Sequence, residues 1–421
     1  MKHIPSAFFI VFFSLFFLNN VFADPYTNPP GVRARSMGGA FAAVADDSSC
    51  FWHNPAGMAI MNADKLASNE RIFDMQFSTF QSLEKKPDVE NINYAINRKH
   101  KKFSIKSGDF GFSFGGREPN LDDNPVKSGG LYYAKPYFIN NHFSIKQRDN
   151  KPIVNSAFGE VYEEIYAIGL LYGFTYINKE ISYGFTIDYI NIKSNYSNIW
   201  TISSYDEVNN ELNYKYIGGD GKTFDAFTGS VGILYKPFKK WFSSYQFSIG
   251  SVYRFPSHCR EIGPFSDQLI IERPSSMDLG MAVNRISIGS RFIFSVQYGL
   301  TEWSRSNRNI DTDYHKYSAG MEWILPNKFI QQKRFPFLSF RTGSYQSKAS
   351  QKSDNWPDVT SLAFGVGLIT GTNKEKNAIE ITLENKIIDH LHYEKENHFL
   401  LSIAFSFNGI SVRDEKAKKD K

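Results

Sequence analysis

Only two cysteines, Cys50 and Cys259, occur in 421 residues. Two distant thiols make no disulfide framework, and their spacing supports no metal site. Whether they pair is left open by the sequence. Beyond residue 23 there is no run of about 18 apolar residues, so a conventional helical membrane span has no material to form from. The mean hydropathy of -0.37 likewise excludes a polytopic helical membrane protein. No glycine-rich phosphate loop and no His-Glu-x-x-His pattern is present, and Gly219–Gly221 spells Gly-Asp-Gly, a turn. His390 and His392, close to Asp389, read better as a turn before a final strand than as a metal site. No local Ser/His arrangement marks a phospholipase. An enzyme is therefore not expected, and no cofactor or metal is implied. A strong charge of one sign is also missing: the net charge is +5. Part of that excess sits in a basic tail with Lys416, Lys418, Lys419 and Lys421, which reads as solvated, so no nucleic-acid partner is expected.

What the chain does have starts at its N-terminus. Lys2 and His3 precede an apolar, Phe-rich run from Ala7 to Leu18, and Val21-Phe22-Ala23 offers small or modest residues before Asp24. A basic start, a short apolar core and a processable exit describe a secretory signal over residues 1–23; an uncleaved anchor is the weaker alternative. The residue directly after Ala23 is Asp24 rather than a cysteine, which argues against a lipoprotein.

Aromatic residues make up 16% of the chain, with 38 Phe and 23 Tyr. High aromatic content beside low mean hydropathy suits a wall that faces lipid on one side, with aromatic girdles at both interfaces. The arrangement along the chain agrees. Phe399, Leu401, Ile403, Phe405 and Phe407 alternate with Leu400, Ser402, Ala404 and Ser406. Strand side chains alternate faces with period two, so one face is greasy and the other small and wettable. Tyr166–Phe174, Ile181–Tyr189, Phe227–Tyr235, Tyr245–Ile249, Met277–Val283, Phe292–Leu300, Tyr317–Ile324, Pro336–Tyr345, Leu362–Leu368 and Ile379–Leu383 repeat the pattern. Earlier candidates are Phe73–Phe80, Asp109–Gly115, Gly129–Phe138 and Phe143–Gln147.

The expected fold is all-β: a transmembrane antiparallel β-barrel of about 14 strands, since bacterial single-chain barrels use even numbers. The expected organisation is a signal at 1–23, a luminal plug at 24–66, the barrel at 67–407 and a polar basic tail at 408–421. Long polar stretches, Asn191–Gly221, Pro256–Ser276, Ser304–Tyr314 and Ser347–Val359, are expected as loops on one side. A β-sandwich alternates similarly, but the strands here are long and run unbroken to the end. Glycine is frequent on the non-apolar face, as in a crowded or ligand-filled lumen. Asp188, Arg341, Glu380 and Glu384 are candidate lumen-facing charges, which tune selectivity or hydrate the wall.

Residues 31–59 break the alternation. Met37–Ala45 is small and apolar and is expected as a short helix ended before Asp46-Asp47, and Asn54-Pro55 as a turn. Irregular backbone at membrane depth is tolerated only inside protein or water, so this segment is a natural plug. Its Gly38-Gly39-Ala40, Val44-Ala45-Asp46-Asp47 and Asn54-Pro55-Ala56-Gly57 resemble the outer-membrane long-chain fatty acid transporter family (FadL/TodX type) and its PorV/PorQ-like relatives. Tyr298–Pro326, with Trp303 and Gly320-Met321-Glu322-Trp323, is similar to the family's later strands. The resemblance implies that Gly38, Gly39, Asp46, Asp47, Asn54, Pro55, Ala56 and Gly57 belong to a hatch that gates the lumen. It also implies passive uptake of a hydrophobic small molecule, such as a long-chain fatty acid, across a bacterial outer membrane. The alternative is a PorV-like structural or secretion-associated barrel that binds other envelope proteins. Membrane lipid, a hydrophobic ligand and the outer-membrane assembly machinery are the expected partners. A departure from many such barrels is the tail beyond Phe407.

Overall fold

The computed structural model describes residues 30–61 except Ser48, and between 69 and 409 the strands with some of their flanking turns. Residues 1–29, 62–68 and 410–421 lie outside the described part, and with them the expected signal and tail. So do Pro237–Trp241, expected to join two strands, and both His390 and His392.

Fourteen of the described strands pair in one antiparallel circuit. They are β1 (Asn69–Phe80), β4 (Phe110–Gly116), β5 (Lys127–Gln147), β6 (Ala157–Tyr176), β7 (Ile181–Asp206), β9 (Lys222–Tyr235) and β10 (Tyr245–Arg254), followed by β13 (Ser276–Ser287), β14 (Ser290–Thr301), β15 (Tyr314–Ile324), β16 (Phe337–Ala349), β17 (Asp358–Gly371), β18 (Lys376–Asp389) and β19 (Glu396–Gly409). Each pairs with the next named, while β2 (Tyr94–His100) pairs with β5 and β3 (Ser104–Lys106) with β1. The circuit returns to its start, because β19 pairs β1 from Asn69↔Gly409 to Phe80↔His398. A wall with no free edge is what a strand needs in a bilayer, where no water satisfies an exposed backbone.

The alternation explains the wall. Along β17, Val359, Ser361, Ala363, Gly365 and Gly367 are buried, while Leu362, Phe364, Val366 and Leu368 are exposed. On β18, Thr382 and Glu384 are buried and Ile379, Ile381 and Leu383 exposed. On β9 the exposed set is Phe227, Val231, Ile233 and Tyr235. The distribution is inverted relative to a water-soluble core: large apolar side chains point outward, and small or polar ones point inward. A contiguous outward apolar face of this kind, with Phe227 at 76% exposure, suits hydrocarbon outside.

Three details differ from expectation. The two segments Gly129–Phe138 and Phe143–Gln147 are one strand, β5, so fifteen candidates become fourteen. Its irregularity falls between Ala134 and Tyr137, around Pro136, which has no N–H for the ladder. The polar stretch Asn191–Gly221 is not a loop throughout, because β7 continues to Asp206 and folds back into β8 (Glu211–Ile217). Pro256–Ser276 likewise holds a hairpin, β11 (Ser257–Ile262) with β12 (Ile270–Arg273). Polar residues form these ladders because the paired backbone, not a buried face, holds a ribbon beyond the membrane.

The third difference lies inside. Residues 31–59 are buried almost throughout and form α1 (Val32–Ser36), α2 (Cys50–His53) and α3 (Gly57–Met61), with turns over 37–39 and 42–44. The expected helix at Met37–Ala45 is absent; α1 precedes it. Gly38 ends α1, with φ of 63°. Gly38 N donates to Arg35 O at 2.9 Å and Gly39 N to Ala34 O at 2.9 Å. Those paired bonds around a left-handed glycine are a Schellman stop, so a small apolar stretch that would otherwise propagate a helix cannot.

Candidate functional site

The lumen and its occupant meet along a belt of glycines. Gly184 pairs with Gly232, Gly250 with Gly280, and Gly320 with Gly343. A methyl group on Gly184 would strike the Pro55 backbone, one on Gly250 the Ala42 carbonyl, and one on Gly343 the Met37–Gly38 backbone. The missing side chains make room for the backbone of the inner segment. Gly38 is tight from the other side, since a Cβ there would strike the backbone of Ser344.

Neutral polar contacts hold the segment at this level. Gln297 Oε1 on β14 accepts from Phe41 N and Ala42 N, both at 2.9 Å. Ser248 Oγ donates to Ala43 O at 2.8 Å, and Thr382 Oγ1 to Val32 O at 3.0 Å. Asn54 Nδ2 donates to Ala42 O at 2.8 Å and to Ile233 O on β9 at 3.1 Å, while its Oδ1 accepts from Ala56 N at 3.1 Å. One side chain therefore closes the turn at Pro55, ties it to an earlier turn and pins both to the wall. Gly57 admits the Ala45 carbonyl, and Ala56 is fully buried. Phe51 stacks on Tyr132 of β5 at 4.0 Å between centroids. Cys50 is buried and forms no disulfide among the described residues.

A charged cluster occupies the end near the short turns. Arg33 Nε donates to Glu322 of β15 at 3.0 Å (Oε1) and 3.2 Å (Oε2). Arg33 also pairs with Asp46 and, at 3.3 Å, with Asp47. Arg341 Nε donates to Glu322 Oε1 at 2.6 Å, and Arg341 Nη2 to Glu380 Oε1 at 2.9 Å. Arg291 Nη2 reaches Asp46 Oδ2 at 2.9 Å. Burial opposes the charge on Arg33, but Asp46, Glu322 and Asp47 outweigh it and hold the guanidinium protonated. Burial also disfavours the Asp46 carboxylate, yet Arg33 and Arg291 hold it well below the usual carboxylate range. His53 differs. Burial first, then the charges of Arg254 and Lys316, push it down to about 3, so it is neutral and its Nε2–H donates to Pro30 O at 2.9 Å.

Of the sequence candidates, the cluster brings Asp46, Asp47, Arg341 and Glu380 together. Asp188 and Glu384 stand elsewhere on the inner wall. Asp188 accepts from Tyr132 and from Thr186 Oγ1 at 3.1 Å, and Glu384 from Ser361 Oγ at 2.6 Å. Sequence reasoning missed Arg33, Arg291, Gln297 and Glu322. Parity was the available signal for Glu322, which sits opposite to Met321 and the exposed Trp323 along β15. A groove of about 430 Å³ between Phe294, Tyr317, Met321 and Leu362 lies on the outward face, separate from this site.

No protein-family model and no curated protein matches the chain. Solved structures do. The toluene transporter TodX of Pseudomonas putida is 11% identical, with a TM-score of 0.54 over 92% of this chain and 99% of that one. The toluene transporter TbuX of Ralstonia pickettii is 13% identical, with a TM-score of 0.53 over 90% and 97%. A FadL homologue of Pseudomonas aeruginosa is 10% identical, with a TM-score of 0.52 over 91% and 99%. The chain thus has the transmembrane β-barrel fold of these structures.

Proposed function

We propose that the protein is a bacterial outer-membrane channel for passive uptake of hydrophobic small molecules, with residues 31–59 as its hatch. The observation that supports this is the glycine belt: a wall carved to seat the backbone of residues 31–59 rather than filled by its own side chains. In this reading the hatch, seated by neutral hydrogen bonds and one charged cluster, is displaced while the wall stays folded. Long-chain fatty acids are the expected ligands by sequence resemblance. The named activity of the fold neighbours, toluene transport, adds monoaromatic hydrocarbons to the class. Apolar burial of the ligand, on the order of 25 cal/mol per Å² removed from water, would supply the affinity. The remaining parts of the proposal are a cleaved signal over 1–23 and insertion by the outer-membrane assembly machinery.

The test is uptake of radiolabelled oleate and toluene by cells lacking their own transporters, with and without the full-length protein, alongside native mass measurement in mild detergent. Faster uptake and a co-purified apolar ligand are expected. Uptake of each compound unchanged by the protein, with no bound ligand and stable co-purification of envelope proteins, would favour the PorV-like alternative.

A further inference from the structure

The charged cluster is divided in an unusual way between hatch and wall. Glu322 is 1% exposed and lies between two guanidinium groups, Arg33 from the hatch and Arg341 from β16. Breaking an isolated buried ion pair strands both charges, which is strongly unfavourable. Here neither charge would be stranded. If Arg33 withdraws, it keeps Asp46 and Asp47, which belong to its own segment. Glu322 keeps Arg341, which is also held by Glu380. Arg341 has a further donor in reserve: its Nη1 is buried and has no hydrogen-bond partner among the described residues. The other cross-link, Arg291 to Asp46, comes from a side chain 36% exposed that also holds Asn284 Oδ1 at 3.2 Å. Losing that cross-link leaves Arg291 partly solvated and still bonded.

We propose that Glu322 is the keeper of a two-position ionic latch: docked, Arg33 is shared between Glu322 on the wall and Asp46/Asp47 on the hatch; undocked, it keeps Asp46/Asp47 alone, and Arg341 holds Glu322 neutralised. The proposal rests on the hatch reading above and deepens it by naming the residues that set how often the lumen opens. It makes two neighbours in one cluster act with opposite sign. Glu322→Gln weakens the docked position, because Arg33 keeps its hatch partners and loses its wall partner. Arg341→Met strengthens the docked position, because an undocked hatch would then leave Glu322 buried and unpaired.

The experiment is electrical recording of the purified full-length protein in planar bilayers, with heat-modifiable gel mobility as the control for a folded barrel. Glu322→Gln should raise the open probability about tenfold or more at unchanged single-channel conductance, the size of one lost charge-assisted hydrogen bond. Arg341→Met should lower it several-fold. Arg33→Met combined with Glu322→Gln should add little to either change alone. Changes of the same sign in Glu322→Gln and Arg341→Met would overturn the latch, since a merely structural cluster loosens whichever member is removed. Unchanged open probability in both would overturn it too. Uptake of oleate and toluene is scored separately. Opposed electrical effects without uptake would sink the transport reading and leave the latch standing, while uptake without them would do the reverse.

Discussion

Replacing Gln297 with leucine should unseat the hatch. Gln297 is 6% exposed, and one oxygen accepts from two consecutive backbone N–H groups. Phe41 N has a second acceptor, Gly39 O at 2.9 Å, so it loses only part of its bonding. Ala42 N has no other acceptor among the described residues. Leucine therefore leaves one buried donor unsatisfied, costing about 1–3 kcal/mol, and removes one further net hydrogen bond, about 0.5–1.5 kcal/mol. Docking should weaken by about 2–4 kcal/mol, a shift of about 30- to 1000-fold between docked and undocked hatch. Gln297→Glu keeps an acceptor at the same place and should leave the hatch seated. The assay is conductance in planar bilayers, again with gel mobility as the control for folding. A leucine variant as quiet as the wild type, or a glutamate variant as leaky as leucine, would refute the reasoning.

Three further outcomes are expected. Undocked in water, His53 would titrate near 6.5, whereas docked it is held near 3 by burial, by Arg254 and Lys316, and against the opposing pull of the Pro30 carbonyl and Asp278. Its contribution to docking is full above about pH 6.5 and is lost as the pH falls toward 3, about 2 kcal/mol by pH 5. The depressed Asp46 weakens docking only in stronger acid, so open probability should rise about 30-fold from pH 7 to pH 5 and become flat in His53→Gln; a flat wild-type profile would contradict this. Gly184→Val should push Pro55 out of its seat and raise leak, measured by liposome swelling with small sugars, whereas Ser182→Val, on the same strand and face but two residues away, gives a comparison for bulk alone. Phe364→Arg, on the outward face, should destabilise the inserted barrel by about 2–4 kcal/mol in urea titrations from lipid vesicles; an unchanged midpoint would mean that face does not meet the membrane.

Much of the wall is legible in the chain because its rule is local. A residue's parity within a strand decides whether it faces lipid or lumen, and hydrocarbon outside makes the larger apolar set choose outward. Phe399 through Phe405 and Leu362 through Leu368 obey that rule without knowledge of any neighbour. The extended β7 was misjudged because a ribbon beyond the membrane needs no apolar face, so Asn191–Asp206 carries no hydropathy signal. The Schellman stop at Gly38 was missed because small apolar residues permit a helix, and only the glycine's φ forbids it.

The site followed different physics. Gly38-Gly39 and Asn54-Pro55-Ala56-Gly57 could be picked out by motif, but what they touch could not. Arg33 and Glu322 are 289 residues apart, and nothing in either's surroundings names the other. Local alternation determined that this chain makes a membrane wall and roughly how many strands it has. Only closure of the circuit, which brings β14 to β18 around the same buried turn, decided which glycines receive the inner segment and which charges hold it, because that depends on register summed over fourteen pairings.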